Sequence, residues 1–132
     1  MNHKVDPRLE NLAKKVISKT DIPQDDNYGS VMLILMVISI IISLVRVIQE
    51  CQKNKLSGAD KSSQEQLMKS EIENISIRRT WLNQLRLNRI IKNHMSKEEY
   101  NKYGHELRNA ILDSGSELDN EDTAALVNII NA

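Results

Sequence analysis

The chain has 132 residues, 18 basic and 18 acidic side chains, a single cysteine and a mean hydropathy of −0.43. So short and balanced a chain excludes a polytopic membrane protein, a strongly basic nucleic-acid packer and an acidic disordered tail. One cysteine excludes an internal disulfide framework. Ile, Asn and Lys supply 40 of the residues, a bias typical of AT-rich coding and so of a viral or bacterial source.

Asp6 followed by Pro7 is a helix start, an N-cap residue with proline in the first turn. Leu9, Leu12, Ala13, Val16 and Ile17 then recur at helical spacing, which predicts a short amphipathic helix over 7–19. Its apolar face suits either a membrane surface or a partner. Pro23 and the acidic stretch behind it read as a linker.

Residues 31–45 carry no charge, and after Arg46 the apolar run resumes with Val47 and Ile48. At about 1.5 Å per residue, 31–48 spans about 27 Å, close to the bilayer's hydrocarbon core. The expectation is a membrane anchor over 28–49, to which Val31, Ile34, Ile38, Ile42, Val45 and Arg46 belong. Arg46 would snorkel at one end, and Tyr28 would sit at the opposite interface. Ser39 and Ser43 are expected to bond back along the helix rather than mark a helix-packing motif. A cleavable signal peptide does not fit, because the apolar run begins 30 residues in and lacks a small-residue cleavage site.

The flank before the run holds Asp21, Asp25 and Asp26. The flank after it holds Arg46, Lys53 and Lys55 against Glu50. The positive-inside rule therefore puts the N-terminus outside and the C-terminal part in the cytoplasm.

Residues 50–64 are polar and read as a linker, and 65–132 as a cytoplasmic helical domain. Within it, one long helical pattern runs from Leu67 to Met95, with two apolar faces rather than one. Ser96 with Glu99 forms a capping box, and Tyr100, Tyr103, Leu107, Ala110 and Ile111 follow as a single stripe. A last helix starts at Asp119 or Asn120 and buries Ala125, Leu126, Ile129 and Ile130. The fold class predicted is all-α: a single transmembrane helix, an N-terminal amphipathic helix and a C-terminal three-helix unit.

Charge is divided within that unit. Arg78, Arg79, Arg86, Arg89 and Lys92 lie in a stretch, 76–95, that has no acid, whereas 96–132 is acidic overall. The simplest expectation is that the basic helix packs near the acidic segment and the two partly neutralise each other, within the domain or between subunits. The alternatives for the basic face, which includes Trp81, are an anionic bilayer or nucleic-acid phosphates; no nucleic-acid-binding motif supports the latter.

No Walker loop, GxGxxG, GxSxG, HExxH or CxxC motif occurs, so no cofactor, metal or catalytic site is expected. His94 and His105 suit surface or capping roles, and Cys51 suits a free or palmitoylated thiol at the membrane interface. Asn74-Ile75-Ser76 is a glycosylation sequon that matters only outside the cytoplasm. The function expected is that of a non-enzymatic single-pass structural or adaptor subunit, with the bilayer, a second copy or other proteins as partners. The alternatives are a viral or phage lysis-related factor and a nucleic-acid tether.

Overall fold

The computed structural model describes residues 6–22, 29–56 and 58–131, and every regular element among them is helical: α1 (Pro7–Ser18), α2 (Gly29–Cys51), α3 (Lys53–Leu56), α4 (Lys61–Arg78), α5 (Trp81–His94), α6 (Lys97–Gly115) and α7 (Asn120–Ile130). Tyr28 and the linker residues 23–27 lie outside the described residues.

Local chemistry sets the boundaries. The Asp6 carboxylate accepts from the Arg8 backbone N–H at 2.9 Å and caps α1. Gly58 adopts φ +92°, which side-chain-bearing residues rarely tolerate, and turns the chain from α3 towards α4. Asp60 caps α4 through the Ser63 N–H at 2.7 Å. Ser96 with Glu99, and Asp119 with Asp122, form reciprocal capping boxes at the starts of α6 and α7.

The long pattern expected over 65–95 is two helices. Arg79 takes a left-handed conformation (φ 40°, ψ 44°) that ends α4, and the Thr80 hydroxyl caps α5 by accepting from Asn83 N–H at 3.3 Å. The expected linker is also partly structured: α3 falls within it, and Leu56 is fully buried. Gln64 donates to the Leu56 carbonyl at 3.0 Å, and Asn131 donates to Gln64 at 3.1 Å, so the end of α7 is tied to this corner.

α1 packs on α2, α6 and α7. α2 packs on α1, α5 and α7, and α6 also contacts α4 and α5. One core joins them all, with Val16, Val37, Ile40, Val45, Met68, Leu87, Ile91, Leu107 and Leu126 almost completely enclosed. The N-terminal helix, the apolar helix and the C-terminal helices of the expected layout are thus packed on one another in this structure. The physical reason is that the apolar stripe of α1 and the inward face of α2 complete the core of α4–α7, which alone would be a small unit of marginal stability.

α2 itself is long and apolar enough to cross a membrane: Met32–Cys51 has a mean hydropathy of 2.5. Its buried residues, Val37, Ile38, Ile40, Ile41, Leu44, Val45 and Ile48, share one side of the helix. The other side carries exposed Met32 and Leu35, then half-buried Ser39 and Ser43, then exposed Arg46 and Glu50. Only 39% of the most apolar window is buried by the rest of the chain. Ser39 donates to the Leu35 carbonyl at 3.0 Å and Ser43 to the Ser39 carbonyl at 2.9 Å, the back-bonding pattern expected of them.

Candidate functional site

Two surfaces stand apart from the remainder: the outward side of α2 and the corner where α4 meets α5. On α2, Ile38 and Val45 of the candidate anchor residues point into the core; Ile34 and Ile42 are half-buried, and Arg46 is exposed. The backbone of Val31 is helical, but its side chain is outside the described residues. α2 is thus a two-sided helix, with one side packed into the bundle.

The second surface is built by α5. Leu87, Ile90 and Ile91 turn into the core, towards α2 and α6. At about 100° per residue, this leaves Trp81, Leu82, Leu85, Arg86, Arg89 and Lys92 on one outward arc of about 140°. Trp81 is 76% exposed, Leu82 51% and Leu85 41%, and Ile77 at the end of α4 is 74% exposed. Arg78, Arg86, Arg89 and Lys92 are exposed, and none makes an ion pair with a described residue. Arg86 reaches the Cys51 sulfur at 3.9 Å, and the Lys92 ammonium lies 6.0 Å from the centre of the Tyr100 ring. Ile77, Leu82 and Leu85 are members of this surface that sequence reasoning placed among apolar packing positions. Behind the corner, α4 and α5 frame an open groove with Leu44, Val47, Ile48 and Ile75 among its apolar lining and Arg78 and Arg86 among its polar lining.

Arg79 leaves the set. Its guanidinium pairs with Asp113 on α6, and its Nε donates to the Ser76 carbonyl at 3.0 Å. That is the one ion pair between the basic stretch and the acidic C-terminal segment among the described residues. Within the chain, the expected partial neutralisation is carried by that one pair among the described residues, although α5 packs on α6. The acids are met instead by α1: Lys15 bridges Asp122 at 2.9 Å and Asp119 at 3.1 Å, and Lys19 meets Glu117 at 2.8 Å. The backbone N–H of Asp21 also donates to the Glu106 carboxylate, which fastens the end of α1 to α6. Sequence spacing could not show this, because Lys15 and Asp122 lie 107 positions apart.

The Lys15 clamp carries a pH dependence. The Asp122 carboxylate, and after it Asp119, holds the Lys15 ammonium above its ordinary 10.5. The Asp122 backbone N–H, and after it Lys15, holds the Asp119 carboxyl below its ordinary 3.8. A raised lysine stabilises the fold fully below 10.5, and this is lost as pH rises through its folded value. A lowered aspartate stabilises it above 3.8, and this is lost as pH falls through its folded value. The melting-temperature gap between the wild-type chain and Lys15→Met is therefore expected to be constant near neutrality and to shrink in strong acid and strong base. A gap unchanged in strong acid would show that the carboxylates contribute nothing to holding α1.

Among the described residues no group of His, Cys, Asp or Glu could hold a metal ion. His94 is exposed and lies 3.4 Å from the Ser43 hydroxyl; His105 is exposed on α6. Cys51 is an exposed free thiol. No protein-family model, curated protein or solved structure matches the chain.

Proposed function

We propose that the protein is a non-enzymatic structural or adaptor subunit that works at a membrane. The observation that carries this reading is α2: a run of mean hydropathy 2.5 that the bundle fully buries along one side only, with Met32 and Leu35 exposed at its start. Exposed apolar surface of this kind is paired with lipid or with another protein. The bundle is the form the chain takes in water. A single-pass form, with the N-terminus outside and residues 50–132 in the cytoplasm as the flanking charges favour, requires α1, α5 and α7 to release α2. It also separates Lys15 from Asp122.

The stripe formed by Ser39, Ser43, Arg46 and Glu50 favours a second reading, in which α2 stays in the bundle and its outward side docks a protein partner or a second copy. In both readings the chain acts by binding. Neither assigns it a catalytic step; the lysis-related alternative has no dedicated feature, and the nucleic-acid tether would use the basic residues of 76–95 but has no nucleic-acid-binding motif. Molar mass of the full-length chain in mild detergent tests the adaptor role. An oligomer or a defined heteromeric complex is expected; a stable, monodisperse monomer would contradict it.

A further inference from the structure

We infer that the α4–α5 corner is a docking surface for an anionic phospholipid bilayer. The inference is independent of α2 crossing the membrane, since it uses a different face of the molecule. Four large apolar side chains, Ile77, Trp81, Leu82 and Leu85, stand in solvent within nine positions of one another. Four cations, Arg78, Arg86, Arg89 and Lys92, flank them without an ion-pair partner among the described residues, and the whole stretch 76–95 contains no acid. Each half of this pattern has a use at a lipid surface. Trp and the aliphatic residues sit at the boundary between headgroups and acyl chains, while Arg and Lys meet lipid phosphates through long stems that follow the apolar layer.

The alternative occupants fit less well. A two-fold dimer through this face would set the same four cations against their own copies. A nucleic-acid backbone would satisfy the cations but leave Ile77, Leu82 and Leu85 without a role. The order along α5 also suits a bilayer. Trp81, Leu82 and Leu85 occupy its beginning, and Arg86, Arg89 and Lys92 follow over about 10 Å. The tip can therefore enter the interface while the cations remain at headgroup level.

Trp81 is the chain's only tryptophan, so its emission reports this corner directly. The test titrates the full-length chain with phosphatidylcholine vesicles, with and without phosphatidylglycerol. With the anionic vesicles, a blue shift, quenching by brominated acyl chains and a decline with salt are expected. Neutralising three exposed cations together (R86Q, R89Q and K92Q) is expected to weaken binding about 100-fold, from about fivefold per charge. L82S with L85S is expected to abolish quenching by the acyl chains while far-UV circular dichroism stays unchanged.

Emission unmoved by anionic vesicles would overturn the inference, even if the chain sediments with them, because α2 would then be the contact. A blue shift that grows with protein concentration in the absence of lipid would overturn it in favour of a second copy. A Trp81 shift with anionic vesicles but not with phosphatidylcholine, in a chain that alkali strips from membranes, would support this surface while contradicting an α2 anchor.

Discussion

Val45→Asp is expected to unfold the bundle. Val45 is completely buried on the inward side of α2 and lines a largely apolar pocket with Leu12, Val16, Ile41, Leu44 and Leu126, where Ser114 is the one polar side chain of the lining, so a carboxylate there would be left almost without polar company. Burying it would cost about 3–5 kcal/mol, a large part of the about 5–15 kcal/mol that holds a domain of this size. Leu35→Asp is the matched control. Leu35 is exposed on the outward side of the same helix, so its replacement should leave the melting temperature nearly unchanged. An anchor surrounded by lipid would treat the two positions alike; a helix shared with a bundle does not. Thermal unfolding of both variants decides it, and a folded, near-wild-type Val45→Asp would contradict the packing of α2.

Gly115→Ala is expected to destabilise the chain by about 1–3 kcal/mol, and Gly115→Val by more. Gly115 is buried at the end of α6, where α4 crosses it. A Cβ at this position would overlap the Ser76 hydroxyl oxygen and stand 3.0 Å from Ile72 Cγ2. Ser76 is itself buried, with its hydroxyl donating to the Ile72 carbonyl at 2.9 Å, so it has little room to turn aside. Removing that oxygen should relieve the main overlap. In a double-mutant cycle, Ser76→Ala is therefore expected to recover part of the loss caused by Gly115→Ala. Strictly additive effects would show that the two helices are not in contact there. Gly104 sits against the ring of Tyr100 on its own helix, whose far atoms can move more easily, so Gly104→Ala should cost less.

Several local signals are legible in the sequence. Asp6 with Pro7, the Ser96–Glu99 box and Asp119 each mark a helix start, because a cap involves residues within three or four positions. The stripes of α1 and α6 were legible for the same reason. The break at Arg79 and Thr80 was not, since no Gly or Pro marks it; the sign of it was the pair of apolar faces. A helix read straight through a break changes phase: one continuous wheel puts Leu82 on the same side as Met68 and Ile72, which are buried on α4, whereas Leu82 is exposed on α5.

The stripe of Ser39, Ser43, Arg46 and Glu50 was present at helical spacing, but average hydropathy over the window concealed it. The docking of α1 through Lys15 and Asp122 is a long-range pairing that no periodicity predicts. For the candidate surface, the basic residues and Trp81 were legible from composition. The exposure of Ile77, Leu82 and Leu85, and the diversion of Arg79 to Asp113, depend on where the corner turns.

The central claim is that the surface of α2 left open by the bundle belongs to a membrane. Alkaline carbonate extraction of membranes from cells producing the full-length chain tests it most directly. Retention in the membrane pellet is predicted for the wild type, with partial loss for Leu35→Asp. Complete release of the wild-type chain into the soluble fraction would contradict the claim and leave α2 as the wall of a bundle that functions in water.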